Sequence, residues 1–252
     1  MTGKWIDLDG SRVEYARWGE GSALPVLLLH EGLGSVGLWK DFPDKLAKAC
    51  NRKVIAWSRH GHGWSDPAVG VRNPDYMHRE AALLPQLLAA LDIPRSHWLG
   101  HSDGASIALI GAAEYPDRVA SLILEAPHVL VEDLTFNSIA EIAAAFAPDV
   151  MGERMRRYHA DPLTLFNDWS SIWLDPRFRT WNIEALLNRV EAPALLIQGH
   201  DDQYGTFDQL DRIAAHLPDV TRLHLDDCRH SPHFDQPEQV LQTISRFLEK
   251  KD

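Results

Sequence analysis

The sequence predicts an α/β chain whose sheet is mostly parallel and buried, interrupted once by a helical segment. Three observations predict it. Short apolar runs alternate with amphipathic stretches over most of the chain, which is the pattern of buried strands joined by crossover helices. Two strand-like runs joined at Asp9-Gly10 open the sequence as a tight hairpin. From about His128 to Arg189 helical periodicities continue with no convincing strand, and Trp169, Trp173 and Trp181 fall there with Phe136, Phe146, Phe166 and Phe178.

Taken in order, KWIDL and RVEYARW form the hairpin. PVLLLH and KVIAW are buried strands, with the amphipathic helix DFPDKLAKAC between them. YMHREAALLPQLLAALD is the next helix and leads to the strand HWLGH. ASIALIGAAEYP is helical and apolar nearly all round, as a helix at the centre of a fold must be, and SLILE closes this block as a strand. Within the interruption, IAEIAAAFA and PLTLFNDWSSIW carry the helical period. PALLIQG resumes the alternation, followed by a helix over about 206–217, the strand TRLHL, and a closing helix from near Pro237 to Lys250. The expected organisation is a core of residues 1–127 and 190–252 with a helical lobe, 128–189, inserted between its two parts.

At 252 residues and 45% hydrophobic content, the chain can bury one large core. Its 36 acidic residues outnumber 25 Lys and Arg, giving a net charge of −11 with no long basic run, so nucleic acid is not an expected partner. No run of about 18 apolar residues occurs. The first residues, MTGKWIDLDGSRVEYARWG, lack the apolar stretch and cleavage site of an export signal, so neither a membrane partner nor secretion is expected. Two cysteines, Cys50 and Cys228, are too few for a disulfide framework or a cysteine-based zinc site; they fit a reducing compartment, and a cytoplasmic location is expected.

The chemistry concentrates in LGHSDGAS, residues 99–106. Gly100-His101-Ser102-Asp103-Gly104 fits a G-x-S-x-G turn, with a strand before it and a helix after it. Such a turn is tight enough to need nearly absent side chains two positions either side of the serine. It lifts the hydroxyl from the strand's carboxyl end toward the positive end of the following helix. A serine hydroxyl needs a base, and the base needs a carboxylate to fix its tautomer. Asp202 lies three residues past Gly199 at the end of the strand ALLIQG, and His230 lies in DCRHSPHFDQPEQV, between the last strand and the last helix. Asp201 is the rival acid, and His233 the rival base.

Five stretches, LLLHEGLGS, SRHGHGWSDP, GHSDGAS, IQGHDDQYG and RHSPHFDQPE, occur in the order seen in α/β-hydrolases, and over essentially its whole length the chain resembles that family. The resemblance implies the α/β-hydrolase fold: eight strands, mostly parallel, flanked by helices, with a helical cap inserted after the sixth strand, here SLILE. It implies the catalytic residues Ser102, Asp202 and His230, and backbone N–H groups of Gly32 and Asp103 as the oxyanion hole. Glu125 is a third choice for the acid, because some members draw it from that strand. Glu31 stands where the family usually has glycine, and Arg229 where it usually has glycine before the histidine. His30 and His101 occupy family positions that brace the oxyanion loop and the elbow.

The acidic Asp103 is explained by the favourable field at a helix N-terminus. Pairs such as His60 with His62, or His230 with His233, lack further ligands in a known zinc pattern, so no metal and no organic cofactor is expected. Candidate pocket residues are Glu31, Trp169, Trp173 and Arg154; on a helix Met151, Met155 and Tyr158 share a face, and Arg154 flanks that apolar side. The expected reaction is cleavage of a small carboxylic ester, lactone or thioester through an acyl-enzyme. Alternatives are hydrolysis of a C–C bond in a ring-cleavage product, cofactor-free haloperoxidase or perhydrolase chemistry, and a weakly catalytic receptor of the same fold. Haloalkane and epoxide chemistry is disfavoured, since those relatives carry aspartate in place of Ser102.

Overall fold

In the segment Val26–Leu29, Leu27 and Leu29 are buried in one hydrophobic cluster and Val26 and Leu28 in another, one on each face of the sheet. A strand apolar on both faces belongs inside a parallel sheet. The computed structural model describes residues 4–8, 10–68, 70 and 73–251. Its eight strands are Lys4–Leu8 (β1), Ser11–Trp18 (β2), Val26–Leu29 (β3), Val54–Trp57 (β4), Ser96–His101 (β5), Val119–Glu125 (β6), Ala194–Gly199 (β7) and Val220–Leu225 (β8). They form one sheet in the order β1-β2-β4-β3-β5-β6-β7-β8. β2 pairs antiparallel with both β1 and β4, and the remaining neighbours are parallel. Gly10 takes φ +82° at the expected hairpin turn, and its neighbour Asp9 lies outside the described residues.

The helices, in chain order, are Phe42–Cys50 (α1), Tyr76–Ala90 (α2), Asp103–Glu114 (α3), Asp133–Ala145 (α4), Glu153–Met155 (α5), Pro162–Trp173 (α6), Glu184–Leu187 (α7), Asp208–His216 (α8), Pro232–Asp235 (α9) and Pro237–Leu248 (α10). α1 and α10 pack on the face that holds Val26, Leu28 and Ile123, whereas α2, α3 and α8 pack on the face that holds Leu27 and Leu122. Residues Asp103 to Ala113 of α3 are all buried, which accounts for its lack of a polar side.

β4 and β5 flank β3 on opposite sides, so the chain leaves β3 one way and β5 the other. That divergence opens a crevice beyond the carboxyl ends of the two strands, the position where ligands bind in open α/β sheets.

The interruption between β6 and β7 is helical, α4 to α7, and among the described residues its one strand-like pairing is an isolated bridge between Leu130 and Asn182. Aromatic packing holds it: Phe146 stacks on Phe166 at 3.7 Å, and Trp173 meets Phe178 edge-on at 5.0 Å. Two bonds pin it to the loop after β4. The Gly63 N–H donates to His159 Nδ1 at 3.0 Å, and the Ala160 N–H donates to the Gly63 carbonyl at 2.9 Å.

His159 must be neutral at Nδ1 to accept that bond, and burial pushes its pKa down to about 4. An unfolded histidine takes its proton near 6.5. Between those values the unfolded chain binds the proton and the folded chain does not, so stability is complete above the upper value and falls as the pH drops, by at most about 1.4 kcal/mol per pH unit for one group. Urea midpoints measured from pH 7 to pH 4.5 are expected to fall less steeply for His159→Gln than for the parent; equal slopes would remove His159 from the acid response.

Candidate active site

β5 ends at His101, and α3 begins at Asp103. Ser102 between them takes φ +54° and ψ −119°, in the left-handed region that a non-glycine residue enters at a cost of about 1–3 kcal/mol. Two glycines allow the bend. A Cβ on Gly100 would come within 2.4 Å of the Gly104 carbonyl oxygen, and one on Gly104 within 2.0 Å of the Leu29 carbonyl oxygen. The Ser102 N–H donates to the Glu125 carbonyl at 2.9 Å, tying the strained residue to β6.

The Ser102 hydroxyl lies 2.9 Å from His230 Nε2, and His230 Nδ1 lies 2.8 Å and 3.0 Å from the two Asp202 carboxylate oxygens. Asp202 also accepts from the Tyr204 N–H at 2.8 Å and from Gln198 Nε2 at 2.9 Å. Burial alone would raise the Asp202 carboxyl pKa, but the charge and hydrogen bond of His230 outweigh it and hold it below its usual value. His101 donates from Nε2 to the His230 backbone carbonyl at 2.6 Å, so the residue before Ser102 also steadies the loop that carries the imidazole. His128, whose ring is 5.9 Å from that of His230, stays neutral because burial and the neighbouring His230 push its pKa down to about 3.

A cavity of about 180 Å³ opens over Ser102 and His230. Glu31, Gly32 and Leu33 line it from the loop after β3, and Trp169 and Trp173 from α6. A Cβ on Gly32 would fall 2.3 Å from Trp169 Nε1, so glycine lets α6 close on this loop. Among the described residues no lysine or arginine lines the cavity. Glu31 brings a carboxylate, 3.7 Å from His101 Nδ1. Burial opposes its ionisation, but the nearby His101 prevails and pushes its pKa far below the carboxylate range; the same contact raises His101 against the effect of its own burial.

The family model for the alpha/beta hydrolase fold matches residues 25–169, more than half of the chain. The chain belongs to the α/β-hydrolase fold family. Relatives of this hydrolase include the human serine hydrolase BPHL, 28% identical over 99% of this chain and 87% of that protein. Another is the 2-hydroxy-6-oxononadienedioate/2-hydroxy-6-oxononatrienedioate hydrolase of Burkholderia vietnamiensis, 26% identical over 99% of this chain and 96% of that one. The meta-cleavage product hydrolase of Pseudomonas fluorescens has a similar fold, with a TM-score of 0.78 at 20% identity over 99% of this chain and 98% of its own.

In this α/β-hydrolase the rival residues lie elsewhere or pair with each other. Asp201 is exposed, while Asp202 is buried. Glu125 and His233 bond to one another, His233 Nδ1 to Glu125 Oε2 at 2.5 Å, with the His233 ring packed 4.9 Å from Trp39 and 5.1 Å from Phe42. Asp103 is more than a first-turn charge: its carboxylate is buried and accepts from the Tyr76 hydroxyl at 2.7 Å. His62 is buried, with ring nitrogens 3.0 Å and 3.1 Å from the His60 and Gly32 carbonyls.

Arg154 requires a correction. It is exposed and does not line the cavity, because residues 148–152 form a wide π-type turn and α5 is only three residues long, so the regular helical face that would aim Arg154 does not exist. Sequence reasoning missed Leu33, His128, Thr135, Ile139 and Tyr204 as cavity residues. Leu33 and Tyr204 carried a signal, the one next to Gly32 and the other two residues after Asp202 in the same strand-end loop.

Proposed function

We propose that the protein is a serine hydrolase that cleaves a small carboxylic ester, lactone or thioester, with Ser102 as nucleophile, His230 as base and Asp202 as the supporting acid. The observation that carries this reading is the pair of contacts on one imidazole: Nε2 to the Ser102 hydroxyl at 2.9 Å, and Nδ1 to Asp202 at 2.8 Å. With its proton on Nδ1 and donated to Asp202, His230 has a lone pair on Nε2 for the serine proton. Ser102 Oγ bonds to the substrate carbonyl carbon while Nε2 takes the proton. The oxyanion is held by the Gly32 and Asp103 N–H groups, and the departing alkoxide or thiolate recovers the proton from Nε2. Water repeats the sequence on the acyl-enzyme and releases the acid. Residues 128–189 act as a cap, with Trp169 and Trp173 facing the acyl group.

The charge of the cavity supports an uncharged acyl group. Glu31 is a carboxylate within it, and no cation lines it among the described residues. Similarity to a dienedioate hydrolase over nearly the whole chain favours C–C bond hydrolysis as the second reading, but among the described residues a dianion would find no lysine or arginine lining the cavity to pair with. The test is to treat the protein with a fluorophosphonate, locate the adduct by mass spectrometry, and compare p-nitrophenyl acetate and butyrate with a dienedioate ring-cleavage product. An adduct on Ser102 with turnover of the esters is expected. Turnover of the dienedioate alone would favour the second reading, and an adduct elsewhere would displace Ser102.

A further inference from the structure

The stretch SRHGHGWSDP after β4 supplies no group to the reaction above, yet Arg59 within it is only 2% exposed and its guanidinium faces the loop that follows β3. Nη1 donates to the His30 carbonyl at 2.6 Å, and Nη2 donates to the Glu31 carbonyl at 2.9 Å. The Arg59 backbone N–H donates to His30 Nε2 at 3.1 Å, which leaves the imidazole proton on Nδ1. Nδ1 then donates to the same Glu31 carbonyl at 2.7 Å. The Gly34 N–H adds a third bond to that oxygen at 3.0 Å. Burial, followed by the charge of Arg59, holds the His30 pKa well below its usual value, which keeps the ring neutral.

These bonds fix a peptide plane. The bond between Glu31 and Gly32 is trans, so its C=O and N–H point to opposite sides. A Glu31 carbonyl turned toward Arg59 directs the Gly32 N–H the other way, to the side where Gly32 lines the cavity with Ser102. No protein acceptor takes that N–H among the described residues.

We propose that Arg59 is a positioning residue for the oxyanion hole: its guanidinium, bridging the His30 and Glu31 carbonyls, sets the plane that aims the Gly32 N–H at the oxygen of the tetrahedral intermediate. This rests on the serine-hydrolase reading. The planar fork holds its two donors at a fixed spacing and in one plane, which the rotatable donors of a lysine on its flexible stem do not. A preorganised donor matters in the transition state far more than in the ground state.

Arg59→Lys keeps the charge and removes the fork. Its kcat is expected to fall by about 10- to 100-fold, part of the roughly 10²- to 10³-fold cost of losing one donor outright, with KM changed by no more than about threefold. Affinity for a trifluoromethyl ketone, which forms a tetrahedral adduct, is expected to fall in step with kcat, while affinity for the product acid holds. Rates are normalised to sites titrated by fluorophosphonate, so that any misfolded fraction drops out. Arg59→Ala, assayed with guanidinium and with methylammonium ion, is the second variant; guanidinium alone is expected to restore rate. Arg59→Lys with parental kcat overturns the proposal, as does a loss in which product affinity falls as much as ketone affinity, or rescue by both ions alike. A parent protein that neither labels at Ser102 nor turns over an ester would instead sink the serine-hydrolase reading, whatever the Arg59 variants do.

Discussion

Ser102→Ala is expected to lower ester turnover by on the order of 10⁴-fold or more, with no fluorophosphonate adduct and little change in melting temperature. The size of the loss follows from the contacts of one oxygen. His230 Nε2 has the Ser102 hydroxyl at 2.9 Å, and without it the imidazole can activate only water, which is not held on the carbonyl carbon. The proposed oxyanion donors, the Gly32 and Asp103 N–H groups, would remain and should leave a residual rate above that of the uncatalysed reaction. Stability should hold because the elbow is a backbone feature. Its φ of +54° burdens alanine and serine alike, and the bond from the residue 102 N–H to the Glu125 carbonyl does not involve the side chain. A variant that keeps near-parental turnover would show that the hydroxyl is not the nucleophile. A variant that loses both activity and a cooperative melt would show that the side chain holds the turn together.

The parts legible in the sequence are those fixed by neighbours in the chain. Gly100 and Gly104 around Ser102 announce a bend because the backbone clash they relieve lies within five residues and against the adjacent strand. β3 reads as buried from four consecutive apolar residues, and α3 as central because it lacks a polar face. Contacts across the sheet have no such local signature. Nothing near His233 marks it as the partner of Glu125, 108 positions earlier, and its packing on Trp39 and Phe42, more than its spacing, separates it from Ser102. The same holds for Asp103, whose bond to Tyr76 spans 27 residues. Arg154 was misplaced for a different reason: helical periodicity assumes an unbroken helix, and the π-type turn at residues 148–152 breaks the register at that point. Arg59 was visible as part of a motif, but its role lies in the carbonyls it touches, and a side-chain pattern does not report which way a distant peptide faces.

The two aspartates beside β7 give the second large effect. Asp202→Asn is expected to lower kcat/KM by about 10⁴-fold, judged from the loss when a triad carboxylate becomes an amide, whereas Asp201→Asn should stay near the parent. The asymmetry follows from what surrounds each carboxylate. Asp202 is buried and meets only donors: His230 Nδ1, the Tyr204 N–H and Gln198 Nε2. An asparagine there must turn its NH₂ toward one of them. If the amide nitrogen faces Gln198 or Tyr204, two donors oppose each other in a buried site. If it faces His230, the imidazole relieves the clash by moving its proton to Nε2, and that tautomer cannot accept the proton of Ser102. The first outcome costs stability, and the second, which avoids that buried clash, removes the base proposed for Ser102 while leaving the cavity its shape, so KM should change much less than kcat. Asp201 is exposed, and its carboxylate can be neutralised without disturbing the imidazole. Measuring kcat/KM against pH for both variants separates the cases: a large loss in Asp201→Asn with a parental rate in Asp202→Asn would move the acid to the neighbouring position and break the link between the 2.8 Å contact and the chemistry.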